Sequence, residues 1–124
     1  MRAPRKVPRL ALAVTALAAV ASVAGSQAPA VGASVTVKAT GNETWSPKTK
    51  SVARGTKVVW KNPSGDAHNL VAYKGGWSKS ASLPEGGKTS YRFKKSGTFS
   101  YRCTIHSDLD GNKCDGMCGK VKVS

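Results

Sequence analysis

Beyond residue 33, apolar and polar side chains alternate along most of the chain, with no helical period. The alternating segments are SVTVKAT (34–40), TKVVWK (56–61), TSYRFK (89–94), TFSYRCTIH (98–106) and KVKV (120–123). Period-two alternation is typical of strands with one buried face. Turn-forming residues separate the segments, in NPSGD (62–66), KGG (74–76), LPEGG (83–87) and KSG (95–97). The pattern predicts an all-β domain over residues 34–124, an antiparallel Greek-key β-sandwich of seven to eight strands.

The first 33 residues have a different character. A basic start with Arg2, Arg5, Lys6 and Arg9 leads into the 15-residue apolar stretch 10–24, followed by small residues. This pattern predicts a secretory signal peptide over residues 1–33, cleaved after Ala30 or Ala33. Because the apolar stretch is shorter than the roughly 20 residues of a spanning helix, a cleaved leader is favoured over the alternative, an uncleaved membrane anchor. We therefore expect no spanning segment in the mature protein. Its expected location is the periplasm, the extracellular space or the cell surface.

The charge of the chain is strongly positive. The sequence has 20 Lys and Arg residues against six Asp and Glu, a formal charge of +14. Loss of the leader would leave 16 basic and six acidic residues, or +10. Such a field attracts acidic partners in a salt-dependent way. Since the cations are scattered singly rather than run together, we expect no nucleic acid. They form either a solvated surface or a docking surface for a redox protein partner with an acidic surface. We also expect a monomer.

Soft metal ligands gather in the last quarter of the chain. Residues 101–123 hold all three cysteines, one of the two histidines and the only methionine after the initiator. In TFSYRCTIH, alternation puts Phe99, Tyr101, Cys103 and Ile105 on the apolar side. Cys103 is therefore expected to face inward, and His106 to lie beyond the regular strand, where a loop can turn its ring back toward the thiol.

The other histidine, His68, stands in GDAHNL, where a turn passes into a strand. Cys103 and His106 have the spacing of neighbouring ligands. Two histidines, an inward cysteine and a methionine form the ligand set of a type 1 copper site. An inert buried thiol with unrelated surface histidines is the alternative interpretation.

At this point the sequence resembles the small blue copper proteins, or cupredoxins, most nearly the plastocyanin and amicyanin group. The resemblance covers nearly all of residues 34–124. The segments that carry it, in order, are WSPKTKSVARGTKVVWKN (45–62), DAHNLV (66–71), YRCTIH (101–106) and MCGKVKV (117–123). Each motif alone is weak, but their order and spacing together are specific.

The resemblance implies an electron-transport protein that is not an enzyme and that carries single electrons through one type 1 copper ion. The implied ligands are His68, Cys103 and His106, with Met117 in the axial position. In the family the second histidine has the exposed edge, so His106 is the expected route for the electron. Asn69 and Thr104, which follow the first histidine and the cysteine, are expected to link the two ligand segments by hydrogen bonds.

One departure from the family lies between His106 and Met117. Ten residues, SDLDGNKCDG, stand where the family commonly has only a few. We expect them to bulge into solvent, while the final strand keeps Met117 in place. Cys114 and Cys118 are near enough in sequence to form a disulfide bond, which would brace the loop on either side of Met117.

Three alternative functions remain at the level of sequence. Copper storage or delivery would use the same ligands. A zinc module could use Cys103, His106, Cys114 and Cys118 as a Cys3His set. Thiol-disulfide exchange by Cys114 and Cys118 is a third, although it lacks the usual C-x-x-C spacing. An oxidase or nitrite reductase needs further copper ligands, mostly histidine, and the chain has only two histidines. The sequon at Asn42 leaves glycosylation open.

Overall fold

Nine strands in two sheets make up the fold in a computed structural model, which describes Pro4 and residues 33–124. The strands are β1 Ser34–Ala39, β2 Trp45–Ser46, β3 Thr49–Val52, β4 Thr56–Lys61, β5 His68–Lys74, β6 Ser80–Leu83, β7 Lys88–Phe93, β8 Gly97–Asp110 and β9 Lys113–Val123. Within these residues there is no helix, which confirms the all-β prediction. The count exceeds the predicted seven to eight because β2, with two residues, is too short to show an alternating pattern.

The predicted leader, residues 1–33, falls outside the described residues except at Pro4 and Ala33. In the part of the chain that is described, no helix has the length and apolar character needed to cross a membrane.

The two sheets have the strand orders β2-β1-β4-β7 and β3-β9-β8-β5-β6. Most neighbouring strands are antiparallel, as predicted, but the β1–β4 and β3–β9 pairs are parallel. This difference arises because the chain crosses repeatedly between the sheets, so strands that become neighbours need not be consecutive. Alternation alone gives the buried face of a strand and not its direction.

Aromatic side chains fill the space between the sheets. Tyr101 on β8 is fully buried, and the rings of Trp45 and Trp60 meet it edge-on, each with a centroid separation of 5.3 Å. Edge-to-face packing of this kind adds to the stabilisation from buried apolar area. Cys103 and Met117 belong to the same buried cluster, with no exposed surface. The candidate ligands therefore sit against a close-packed aromatic core.

Gly119 on β9 is the direct partner of Tyr101 on β8. A Cβ atom at Gly119 would lie only 2.6 Å from the ring carbon Cζ and from the hydroxyl oxygen of Tyr101. The ring cannot retreat without disturbing Trp45 and Trp60. The residue two places after Met117 must therefore be glycine for β9 to approach β8 this closely.

We expect the substitution Gly119→Ala to lower the free energy of unfolding by about 1–3 kcal/mol, the usual cost of overpacking a core. Chemical denaturation, followed by tryptophan fluorescence, measures the change. Gly41→Ala is the matched control, because nothing lies within 4 Å of a Cβ there; it should change stability by less than about 0.5 kcal/mol. Equal stability of the two variants would contradict the close contact between Gly119 and Tyr101.

Candidate metal centre

Three candidate ligands come together at one end of the sandwich. The thiol sulfur of Cys103 lies 3.8 Å from Nδ1 of His68 and 3.5 Å from Nδ1 of His106. The two Nδ1 atoms are 3.1 Å apart. Cys103 and His68 are buried, and the side chain of His106 is 17% exposed. A thiol and two imidazole nitrogens therefore face one another in a largely dry pocket.

A local irregularity in β8 brings Cys103 and His106 together. The pairing of β8 with β9 changes register between Arg102 and Ser107. The Ser107 hydroxyl donates to the backbone carbonyl of Cys103, and Nη1 of Arg102 donates to the Ser107 hydroxyl at 3.1 Å. These bonds fix a turn of backbone between the two ligands, as expected where a bulge re-aims a side chain beside a functional site.

Two sequence predictions about this segment need correction. Ile105, expected on the apolar side, is 58% exposed. His106, expected beyond the strand, lies within β8, which runs on to Asp110. Both errors have the same cause, since a strand that shifts register after Cys103 no longer follows strict alternation.

The ring of His68 is oriented by a chain of hydrogen bonds from a buried asparagine. The Nδ2 group of Asn62 donates to the carbonyls of Asp66 and Leu83, each at 2.7 Å, so its Oδ1 is an acceptor. The Ser64 hydroxyl donates its single proton to Oδ1 of Asn62 at 2.6 Å. The Ser64 oxygen is then left to accept from Nε2–H of His68 at 3.1 Å. This pattern puts the ring proton of His68 on Nε2 and the lone pair on Nδ1.

Electrostatics favours the same neutral state of His68. Burial lowers its pKa below 6.5, and the nearby His106 ring lowers that pKa further. A neutral ring with a free Nδ1 is the form of histidine that binds a metal ion.

The outer edge of the second histidine meets a carboxylate. Oε1 of Glu43 lies 3.4 Å from Nε2 of His106, on the side of the ring opposite Nδ1. Glu43 belongs to the turn between β1 and β2, and its backbone has a φ of 57°, a conformation uncommon for a residue with a side chain. The Glu43 amide donates to the carbonyl of Thr40 at 3.2 Å. The turn thus presents a negative charge to the part-exposed edge of His106.

Asn69 and Thr104 join the strand that carries His68 to the strand that carries Cys103. Nδ2 of Asn69 donates to the Thr104 hydroxyl at 2.6 Å, and the Thr104 amide donates to Oδ1 of Asn69 at 2.7 Å. The paired bonds hold β5 and β8 in fixed positions immediately beside the ligands.

Met117 is fully buried on β9, and its carbonyl accepts a hydrogen bond from Nε1 of Trp45 at 3.2 Å. Cys114 and Cys118 are disulfide-bonded with Cα atoms 6.1 Å apart, which confirms the predicted pair. Their bond encloses Met117 in a five-residue ring of backbone. The methionine is therefore fixed from both the core side and the loop side.

The ten residues before Met117 are more ordered than the predicted bulge. Residues 107–110 of β8 pair with 113–116 of β9 around a two-residue turn at Gly111 and Asn112. The insertion is a β-hairpin that extends two core strands. At its base Gly116 has a φ of 99°, and a Cβ there would collide with the carbonyl of His106. The sequence signal for this hairpin is Asp-Gly-Asn between segments of similar length, but the same turn-forming residues also occur in exposed loops.

Sequence reasoning also missed the two residues that contact the outer nitrogens of the histidines. Ser64 stands in NPSGD, where its turn-forming role conceals a hydrogen bond to His68. Glu43 is more than 60 positions from His106 in sequence, and no local pattern connects them. The one available sequence signal was the position of Ser64, a turn-forming residue four positions before the candidate ligand His68.

The donor set fits one copper ion. One thiol, two imidazole nitrogens and a nearby buried thioether are the ligands of blue copper sites, and soft sulfur donors favour this metal. The Cys3His zinc set does not form, because Cys114 and Cys118 are bonded to each other. Cys103 is the remaining free cysteine, and it is buried.

Comparison with known proteins gives the same assignment. A family model for copper binding proteins of the plastocyanin/azurin family matches residues 32–124. A plastocyanin from Lactuca sativa is 33% identical over 96 residues, which cover 68% of this chain and 91% of that protein.

Solved structures share the fold. A purple cupredoxin from Nitrosopumilus maritimus has a TM-score of 0.58 at 22% identity, covering 72% of this chain and 98% of that chain. An amicyanin variant in the reduced state has a TM-score of 0.56 at 24% identity, covering 73% of this chain and 82% of that chain. With its all-β fold and its His-Cys-His group, this chain belongs to the copper-binding plastocyanin/azurin family, the cupredoxins.

Proposed function

We propose that this protein is an exported carrier of single electrons, which holds one type 1 copper ion with His68, Cys103, His106 and Met117. One observation supports this proposal most strongly. A buried thiol lies within 3.8 Å of two imidazole Nδ1 atoms, each on a ring whose other nitrogen faces a separate polar group. Copper, when bound, supplies the one-electron couple between its +1 and +2 states.

The residues around the ligands limit the movement of the ligand side chains. Electron transfer is fast when the ligands move little between oxidation states, and a bonded framework limits that movement. Ser64 orients His68, and Glu43 orients His106. The paired hydrogen bonds between Asn69 and Thr104 oppose separation of the strands that carry His68 and Cys103. The aromatic core around Tyr101 excludes water from the inner side of the site.

His106 is the proposed entry and exit point for the electron, because its ring is the part-exposed one of the two. Export follows from the leader-like residues 1–33, and it would place the carrier where cysteines are oxidised, in keeping with the Cys114–Cys118 bond. The proposed partner is a redox protein with an acidic docking surface, drawn to the net positive charge.

Copper delivery is the second candidate, since the same ligands serve it. The burial of Cys103 and His68 favours retention of the metal over transfer. Stopped-flow reduction and reoxidation of the copper-loaded protein, with a copper chelator present, separates the two roles. Many redox cycles without loss of metal support electron transfer; release of copper to the chelator on each reduction supports delivery.

We expect Cys103→Ser to abolish the intense visible absorption of the copper(II)-loaded protein. A hydroxyl cannot replace the covalent thiolate interaction from which that band arises. The matched control is the double variant Cys114→Ser, Cys118→Ser, which removes the two disulfide-bonded sulfur atoms and should keep the band. A colourless copper(II) protein, or a band that survives Cys103→Ser, would refute the thiolate assignment.

Met117→Leu should raise the reduction potential by tens of millivolts and alter the visible spectrum. The substitution replaces a weak donor with an apolar side chain, which disfavours the more highly charged oxidised state. Cyclic voltammetry and absorption spectroscopy measure the changes. The fold should survive, because a Met-to-Leu exchange conserves volume and costs less than about 1.5 kcal/mol. An unchanged potential and spectrum would remove Met117 from the ligand set.

Glu43→Gln should also raise the reduction potential, by about 10–50 mV, the scale of one partly screened charge. The negative carboxylate beside His106 stabilises the oxidised site, and the amide keeps the shape without the charge. Asp110→Asn, near the tip of the hairpin, makes the same charge change farther from the ligands and is the control. Equal shifts in both variants would show that Glu43 acts only through net charge.

A further inference from the structure

The outer face of the four-stranded sheet carries five exposed cations, on three adjacent strands. Lys38 on β1 is beside Lys61 on β4, and Lys61 is beside Lys88 on β7. Farther along the same face, Lys57 on β4 is beside Arg92 on β7. All five are exposed. We call these five residues the cationic sheet face.

The cations of this face are opposed by other cations rather than by carboxylates. Like charges directly opposite each other across strands are destabilising. Among residues 33–124 the one contact within 4.0 Å between a basic and an acidic side chain is that of His106 with Glu43, so no carboxylate compensates this face. Between the two rows of cations the face has Thr36, Val59 and Ser90, which are uncharged. No carboxylate relieves this repulsion, and one of the five cations, Arg92, donates to the backbone carbonyl of Gly55 at 2.7 Å.

The other sheet arranges its outward lysines differently. Lys120 on β9 lies between Thr49 and Ser100, and Lys122 lies between Ser51 and Thr98. Each lysine there has a hydroxyl residue on either side, which avoids like-charge neighbours. Both sheets carry basic residues, but the register brings cations directly beside one another on the four-stranded sheet.

The cationic sheet face is a broad array rather than a pocket for one group. Its strands are about 4.8 Å apart and its two rows, four residues apart, are separated by about 13 Å. The space between the rows is about 340 Å³, and a single apolar side chain, Val59, contributes to its lining. Four of the five cations are lysines, which act as point charges and do not form the bidentate hydrogen bonds by which arginine recognises a planar ligand.

We propose that the cationic sheet face adsorbs to an anionic phospholipid membrane. Each lysine near such a surface strengthens binding roughly fivefold, so several acting together give reversible binding. A planar array of lysines suits the many phosphate groups spread over a bilayer surface, whereas a single ligand would need a recessed pocket. The proposal goes beyond the electron-carrying role, since it requires neither copper nor a redox partner.

The acidic residues favour one orientation on the membrane. Five of the six acidic residues lie near the ligands or on the hairpin. Glu43 contacts His106, Asp66 precedes His68 by two residues, and Asp108, Asp110 and Asp115 lie on the hairpin. The sixth, Glu85, stands in the turn between β6 and β7. The ligand end is therefore less attracted to an anionic surface than the cationic sheet face. Adsorption through the sheet leaves the edge of His106 free to meet a partner.

Sedimentation with vesicles tests this proposal on the copper-loaded protein in its exported form. The probes are vesicles of phosphatidylcholine alone and vesicles in which a third of the lipid is phosphatidylglycerol, at low and high salt. We expect binding to the anionic vesicles alone, and only at low salt. The double variant Lys38→Gln, Lys61→Gln should weaken this binding roughly 10–30-fold, from the contribution per lysine.

The double variant Lys120→Gln, Lys122→Gln is the matched control, because it removes the same net charge from the other sheet. It should weaken binding less than about threefold, since its lysines lie away from the membrane. Equal weakening in the two variants, no binding by the unaltered protein, or tighter binding to a DNA oligonucleotide through the same lysines would overturn the proposal. The blue absorption of all forms should be unchanged, so a failed membrane result leaves the electron-carrying role intact.

Discussion

The structure depends on the orientation of two imidazole rings whose Nδ1 atoms face the same buried thiol. Two nitrogen lone pairs at 3.1 Å repel each other unless a proton or a cation lies between them. The rings are nonetheless held in this arrangement, because a polar group occupies the far side of each: Ser64 for His68, and Glu43 for His106. A metal cation relieves the repulsion and uses all three donor atoms at once. The chemistry of the site thus follows from hydrogen bonds made outside it.

The sandwich supplies the rigidity that these hydrogen bonds require. Asn62, which begins the chain of bonds to His68, is fully buried and is held by two backbone carbonyls. The bulge in β8 is closed by Ser107, and the backbone on either side of Met117 is joined by a disulfide bond. Each candidate ligand is therefore attached to a buried, hydrogen-bonded or cross-linked part of the sandwich. A site with this many supports favours retention of the metal and small rearrangement.

The sequence predicted the all-β fold from local alternation, and it predicted the copper ion from the order and spacing of motifs that resemble the cupredoxins. Alternation places the buried face of each strand, and it correctly put Cys103 inward. The same alternation failed two residues later at Ile105, because the register shift depends on hydrogen bonds from Ser107 and Arg102 that no local pattern encodes. Glu43 and Ser64 went unrecognised for a related reason, since their roles arise only when distant turns meet at one end of the sandwich.

The sequence shows that the segment before Met117 is longer than in the family, but it did not predict that this segment forms a hairpin. Its acidic and turn-forming residues favoured an exposed loop, whereas pairing with the neighbouring strand makes it a hairpin. The parallel strand pairs and the row of lysines on one sheet could not be predicted from the sequence either. Strand order decides which residues become neighbours across a sheet, and no local pattern gives the strand order.

Central to this account is a single copper ion bound by one thiolate and two imidazoles. X-ray absorption at the copper edge of the loaded protein examines that coordination directly, without any substitution. We predict one sulfur and two nitrogen atoms at bonding distance, with a second sulfur, from Met117, contributing weakly and farther away. A shell of nitrogen and oxygen atoms alone, or one with two or more short sulfur bonds, would contradict the account.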